Sequence, residues 1–167
     1  MSRAPERKAG RPLKDKPEKK KQRADAVSET RIQYAALPWR MKDELLEILL
    51  ATSRDTRRWV IPKGWPMKGR KPHIVAAIEA AQEAGLNGAI EKTKLGDYHY
   101  RKRIAADVSV ECRVEVYALE VRRQRKKWPE KKQRATHWFP QKIAAELVDE
   151  PELRDILAGF VPKPHSA

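Results

Sequence analysis

An alternating run near the middle of the chain constrains the fold more than any other feature. From Val108 to Ala118, apolar side chains occupy every second position and are separated mainly by charged or hydroxyl-bearing ones. Successive side chains of a β-strand point to opposite faces, so this period of two predicts a strand with one buried face. Cys112 lies on the apolar face and is predicted to be a core thiol. The chain must therefore build a sheet that is covered on at least one side.

A helix is predicted from Pro72 to Ala84, because proline suits a first helical turn and Gly85 is placed to end the helix. Its predicted apolar stripe consists of Ile74, Val75, Ile78 and Ala81. Other segments have the length of strands: Arg31–Leu37, Glu44–Thr52, Trp59–Ile61 and Thr136–Phe139. Taken alone, Glu44–Thr52 could also be a helix. Helices are predicted at Gln141–Val148 and Pro151–Phe160, and Pro62–Pro66 and Arg122–Arg134 are predicted to be loops. Strands and helices together indicate an α/β (α+β) domain.

The ends of the chain differ in composition from its middle. The formal net charge of the 167 residues is +14, and residues 1–28 contribute ten Lys or Arg against four Asp or Glu. That segment has almost no large apolar residue, so we expect a disordered basic tail there and a short tail at 161–167. No apolar run approaches the length of a membrane span, and a single cysteine excludes an intramolecular disulfide, so a cytoplasmic protein is expected.

Two carboxylates on the predicted helix stand out by their spacing. Glu79 and Glu83 are four residues apart, so they project from one face of the helix, and we expect solvent to reach both. A loop containing Gly64 precedes the helix and can bring a backbone carbonyl beside the carboxylates. Such an arrangement supplies the hard oxygen ligands that magnesium prefers. A solvated helix face is the simpler interpretation of the pair.

The segment from Gly64 to Leu86 resembles the signature of the Nudix hydrolases, G-x5-E-x7-R-E-U-x-E-E-x-G-U, where U is aliphatic. Gly64, Glu79, Glu83, Gly85 and Leu86 match without gaps. The resemblance continues through Thr52–Arg54, Arg58–Pro66, Tyr98–Arg103 and His137–Phe139. Together these segments resemble a bacterial subgroup related to diphosphoinositol polyphosphate phosphohydrolases. It implies a Nudix-type α/β/α sandwich with a mixed sheet over residues 29–160.

Three positions of the signature depart from the family pattern. Arg70 replaces the first Glu, Ile78 replaces the Arg, and Gln82 replaces the first member of the Glu-Glu pair. Because Arg70 and Ile78 replace both partners of a structural pair, the fold need not suffer. Gln82 matters more, since an amide carries no negative charge and cannot act as a base.

The resemblance implies a metal-dependent hydrolase that cleaves a phosphoanhydride bond with Mg²⁺ or Mn²⁺. Glu79 and Glu83 would be catalytic and would hold the metal, helped by Gln82 and by the carbonyl of Lys63, with Glu83 as the expected proton acceptor. An additional carboxylate is expected from outside the signature, and four candidates stay open: Glu111, Glu115, Glu120 and Glu130.

Basic residues flank the predicted site and favour a highly phosphorylated substrate, such as an inositol pyrophosphate or a dinucleoside polyphosphate. The expected substrate-binding residues are Arg54, Arg58, Lys63, Arg101, Lys102 and Arg103. Two alternatives remain. One is a catalytically impaired Nudix-fold module that binds a phosphorylated ligand. The other is nonspecific nucleic-acid binding through the basic tail and the Arg122–Arg134 segment.

Overall fold

The computed structural model describes residues 29–163. The expected basic tail at 1–28 and the last four residues of the chain lie outside this range. The elements follow in chain order: β1 (Arg31–Lys42), β2 (Leu45–Thr52), β3 (Trp59–Val60), β4 (Lys63–Gly64), α1 (Pro72–Ala84), β5 (Leu86–Ile90), β6 (Gly96–Ala105), β7 (Val108–Gln124), β8 (Thr136–Pro140), α2 (Gln141–Leu147) and α3 (Pro151–Gly159).

The strands of residues 29–163 form one mixed sheet. Its central path runs β3-β2-β1-β7-β5, with β4 on β1, β6 on β7 and β8 on β2. Strands β1 and β7 run parallel, while the other pairings are antiparallel. The short strand β4 lies within the predicted Pro62–Pro66 loop, where Lys63 pairs with Ala35 and Gly64 with Tyr34. This pairing fixes Lys63 and Gly64 against the centre of the sheet.

Helices cover both faces of the sheet, as an α/β/α sandwich requires. Alternate residues of β7 belong to separate apolar clusters, with Val114 and Val116 on one face and Tyr117 and Leu119 on the other. The first cluster packs against α2 and α3, and the second packs against α1. The predicted burial of Cys112 is confirmed, since its side chain is fully buried. Strand β7 is therefore covered on both faces toward its carboxyl end.

Helix α1 has the predicted bounds, and Gly85 ends it in the left-handed conformation with φ of 71°. Its predicted apolar stripe is partly wrong. Ala76, Ala80 and Ala84 are buried against the sheet, whereas Ile74 and Ile78 are only half-buried. Val75 is fully buried, as predicted. The alanines, whose small side chains let the helix lie close to the sheet, make up the part of the packed face that the prediction missed.

One further local prediction needs correction. The predicted Arg122–Arg134 loop begins three residues later, at Arg125, because β7 extends to Gln124 and both Arg123 and Gln124 pair with β5. No helix among residues 29–163 is long and apolar enough to cross a membrane.

Candidate active site

Two adjoining cavities form a cleft beside β4 and the carboxyl-terminal half of α1. The smaller has a volume of about 370 Å³ and the larger about 680 Å³. They share four lining residues: Ser53, Asp55, Lys63 and Lys102. Glu79, Glu83 and Glu130 line the smaller cavity, while the larger one is lined by cations from β6. We call these the acidic chamber and the cationic chamber.

Strand β4 and helix α1 hold the signature residues together. The backbone N–H of Lys63 donates a hydrogen bond to Oε2 of Glu83 at 3.1 Å. A Cβ atom at Gly64 would lie 2.2 Å from the carboxyl carbon of Glu79, so only glycine permits this approach without moving Glu79. The pairing of β4 with β1 thus places both carboxylates against a fixed backbone.

Residues 124–135 form a segment that caps the end of α1, where the last carbonyls of a helix lack partners. The N–H of Glu130 donates to the carbonyl of Gln82 at 3.1 Å, and the indole N–H of Trp128 donates to that of Glu83 at 3.1 Å. The side-chain amide of Gln124 donates to the carbonyl of Ala84, and the N–H of Arg125 donates to that of Gly85. These bonds carry Glu130 and Arg134 to the acidic chamber.

Arg134 connects the carboxylates of the acidic chamber. Its guanidinium lies 3.2 Å from Oε1 of Glu83 and 3.1 Å from Oε1 of Glu130. It also donates to the carbonyl of Thr52 at 3.2 Å. The side chains of Arg134 and Glu83 are only 9% and 8% exposed, so this network is shielded from water.

Burial shifts the proton affinities of these groups. Desolvation raises the pKa of Glu83 to about 7, although Arg134 and Lys63 oppose the shift. Desolvation and the charge of Glu130 raise the pKa of Glu79. Glu79 differs from Glu83 because it forms no hydrogen bond or ion pair within residues 29–163. Its carboxylate is therefore available to a ligand or water in the chamber.

The cationic chamber is less neutralised. Burial, and then the charge of Lys102, lower the pKa of Lys63 to about 8, while Glu83 opposes this shift. Lys102 is half-buried, lines both chambers and forms no ion pair within the described residues. Arg101 lies 3.9 Å from Glu111, and Arg103 donates to a backbone carbonyl at 2.9 Å. Cationic groups therefore remain open to an anion.

Arg58 and Arg54 are more strongly engaged. Arg58 contacts Glu150 at 2.5 Å and Asp149 at 3.5 Å, which ties the cationic chamber to the turn between α2 and α3. Arg54 donates to Gln133 at 3.1 Å and lies 3.7 Å from Glu130.

The residues of the acidic chamber do not fit a divalent metal as they are arranged. Mg²⁺ requires close to ideal octahedral coordination by oxygens at about 2.1 Å. Both carboxylate oxygens of Glu83 already accept hydrogen bonds, and Gln82 is exposed and lines neither cavity. Within residues 29–163, no group of three or more His, Cys, Asp or Glu side chains is placed to hold a metal ion.

Most residues proposed from the sequence meet in this cleft. Glu79, Glu83 and all six expected substrate-binding cations line it. Of the candidate additional carboxylates, Glu130 lines the acidic chamber, whereas Glu111, Glu115 and Glu120 line neither cavity. The expectation that solvent reaches Glu83 is wrong, since that residue is only 6% exposed. Its burial follows from the alanine face of α1, which turns Glu83 toward the sheet.

Arg134 is the site residue that the sequence analysis missed. It was the last residue of a basic run, and nothing local separates it from its neighbours. Its spacing of four from Glu130 is the one available signal, and that spacing alone does not place either residue beside Glu83.

Comparisons with known proteins give the cleft a family context. No sequence-family model matches the chain. Nudix hydrolase 16, mitochondrial, of Arabidopsis thaliana is 30% identical over 121 residues, which cover 70% of this chain and 67% of that protein. Nudix hydrolase 12, mitochondrial, of the same plant is 32% identical over 106 residues, covering 61% of this chain and 52% of that protein.

Solved structures share the fold. A Caenorhabditis elegans Ap4A hydrolase in a binary complex has a TM-score of 0.57 at 17% identity, covering 77% of this chain and 93% of that chain. A Nudix hydrolase from Nitrosomonas europaea has a TM-score of 0.59 at 15% identity, covering 77% and 86%. The Nudix domain of Shewanella oneidensis NrtR, crystallised with ADP ribose, has a TM-score of 0.55 at 14% identity, covering 81% and 94%.

A mixed sheet between helices, with signature carboxylates in a cleft beside α1, defines a Nudix-type domain. The chain belongs to the Nudix hydrolase family. It spans about half to two thirds of the length of the curated relatives named above.

Proposed function

We propose that this chain binds a highly phosphorylated small molecule in its cleft and hydrolyses a phosphoanhydride bond of that molecule. One observation carries the proposal: a signature carboxylate, Glu79, and cations such as Lys102 line a single cleft, and neither of these two residues has an ionic partner within residues 29–163. The cations suit a polyphosphate, and the carboxylate suits the activation of water.

Binding follows from the charges of the cationic chamber. Lys63 and Lys102 lie where the two chambers join, so an anhydride held by them would have its bridging oxygen near the acidic chamber. Arg101 and Arg103 would contact phosphates farther out. Charge-assisted hydrogen bonds to phosphate are about twice as strong as neutral ones, and arginine can form them in pairs.

The chemical step needs a proton acceptor. Glu79 supports this role better than Glu83, because both oxygens of Glu83 are engaged by Lys63 and Arg134. Glu79 would take a proton from a water that attacks phosphorus, and the phosphorus–oxygen bond of the anhydride would break to release the second phosphate group. Its raised pKa makes it a stronger base than an ordinary carboxylate.

The substrate class is proposed from the size and charge of the cleft. An inositol pyrophosphate or a dinucleoside polyphosphate would use several cations at once, which agrees with the resemblance to the diphosphoinositol polyphosphate phosphohydrolase subgroup. The solved relatives named for Ap4A and crystallised with ADP ribose concern phosphorylated small molecules of the same general kind. The resemblance predicts Mg²⁺ or Mn²⁺ as the cofactor, whereas the hydrogen bonds of Glu83 with Lys63 and Arg134 disfavour a metal at that carboxylate.

The test is phosphate or nucleotide release from a panel of inositol pyrophosphates, dinucleoside polyphosphates and nucleoside triphosphates. Each is assayed with Mg²⁺, with Mn²⁺ and with a chelator. Glu79→Gln should lower the rate at least about 100-fold, as expected for loss of a general base. Glu146→Gln, which alters an exposed glutamate on α2, is the matched control and should match wild type. Equal rates for Glu79→Gln and wild type would refute the assigned role.

A second candidate is a module that binds a phosphorylated ligand without turnover. The pairing of Glu83 with Arg134 favours it, together with the exposed Gln82. Calorimetric binding of a panel member with no release of phosphate in any metal condition would establish this function. Because Gln82 lines neither chamber, Gln82→Glu should change activity only modestly.

A further inference from the structure

A guanidinium lines the acidic chamber and lies between two of its carboxylates. Arg134 bridges Glu83 and Glu130 at 3.2 and 3.1 Å, and its side chain is almost as buried as that of Glu83. Buried carboxylates require a compensating positive charge, because their desolvation is otherwise costly. Arg134 provides that charge from within the chain.

The surrounding backbone holds Arg134 in this position. The N–H of Ala135 donates to the hydroxyl of Thr52 at 2.9 Å, and the N–H of Thr52 donates to the carbonyl of Ala135 at 2.9 Å. The guanidinium itself donates to the carbonyl of Thr52. Arg134 is therefore tied to the end of β2 on one side and to the carboxylates on the other.

A divalent cation in the acidic chamber would compete for the same oxygens. Oε1 of Glu83 accepts from Arg134 and Oε2 of Glu83 accepts from the backbone of Lys63, so each oxygen of Glu83 already has a hydrogen-bond donor. A metal beside Arg134 would also meet like-charge repulsion in a poorly solvated place. A divalent metal bound through Glu83 would therefore have to displace one of these donors or bind beside it.

We propose that Arg134 is the resident cation of the acidic chamber and excludes divalent metal from it. Arg134, which lies outside the signature, is thus the residue that prevents these carboxylates from holding a metal. The inference concerns the same cleft as the proposed function. It is tested by measuring metal binding, so the test is valid even if the protein has no hydrolase activity.

The experiment is a titration of the metal-free full chain with Mn²⁺, followed by the electron paramagnetic resonance signal of free Mn²⁺. Wild type and Glu83→Gln should bind equally weakly. Arg134→Gln should bind Mn²⁺ at least 10-fold more tightly, because the carboxylates lose their internal partner. Arg122→Gln, which removes a charge from an exposed position on β7, is the control and should behave as wild type.

Thermal unfolding provides a second measurement. Mn²⁺ should leave the Tm of wild type unchanged and should raise that of Arg134→Gln, since a ligand that binds only the folded state stabilises it. If Arg134→Gln does not fold, Arg134→Lys keeps a charge but lacks the two-pronged geometry, and an intermediate tightening is expected.

Two outcomes would overturn the inference. Tight Mn²⁺ binding by wild type that is lost in Glu83→Gln would show that metal and Arg134 coexist. Folded Arg134 variants that bind Mn²⁺ no better than wild type would show that Arg134 does not keep the metal out.

Discussion

The two chambers of the cleft use charge in opposite ways. In the acidic chamber, Glu83 and Glu130 are neutralised by Arg134 and are poorly exposed. In the cationic chamber, Lys102 has no ionic partner within the described residues, and Arg101 has only a distant one at 3.9 Å. The Arg134 network of the first chamber is closed and contributes to the fold, although Glu79 beside it stays open, whereas the second chamber is left open to anions. The comparison teaches that charge in a cleft indicates binding only where it is unpaired.

The largest expected effect comes from breaking the closed network. Arg134→Met should destabilise the protein by about 3 kcal/mol, because removing one partner leaves buried carboxylates uncompensated. The double variant Arg134→Met with Glu83→Gln should recover at least about 1 kcal/mol of that loss. Urea unfolding at pH 8 measures both, and additive losses would show that Arg134 and Glu83 are not coupled.

The pH dependence of stability is the next largest effect. The pKa of Glu83 is raised from 4.5 to about 7 in the folded protein. The folded state therefore binds the proton more tightly than the unfolded state, and this contribution is lost as pH rises from about 4.5 through 7. Wild type should lose about 2 kcal/mol relative to Glu83→Gln over that range. Denaturant unfolding at several pH values checks this, and parallel profiles would contradict it.

Substitutions in the cationic chamber should change ligand affinity and leave the free energy of unfolding unchanged. Lys102→Met should weaken the binding of inorganic tripolyphosphate about 10-fold, since a hydrogen bond to a charged group contributes about 1.5 kcal/mol or more. Its unfolding free energy should stay close to that of wild type. Lys126→Met, at an exposed position outside both chambers, serves as the matched control in calorimetry.

The smallest effect is expected at the exposed rim. Arg103→Met should reduce tripolyphosphate affinity by less than about 1 kcal/mol, because exposed charges are screened by solvent and salt. Repeating the titration in higher salt should shrink the difference from wild type further. A loss of affinity as large as that of Lys102→Met would contradict this expectation and would show that Arg103 contacts the ligand as strongly as Lys102 does.

Local pattern predicted the elements that depend on local chemistry. Pro72 and Gly85 bracket α1, and the alternation through Cys112 predicts β7. The pattern misjudged part of the packed face of α1, because the sheet also packs against Ala76 and Ala80, which lie outside the predicted stripe. The face of α1 that packs against the sheet also decides that Glu83 is buried. The positions of the apolar residues along the helix do not indicate this burial.

By itself, the sequence determined that this chain builds a helix-covered sheet and carries a Nudix-like signature with basic flanks, since those features lie in residue spacing. Only the tertiary structure decided which carboxylates share a cavity and which are neutralised. Glu130 and Arg134 reach Glu83 because residues 124–135 satisfy the carbonyls at the end of α1. Such pairing depends on where distant backbone segments meet, and spacing along a chain does not encode that distance.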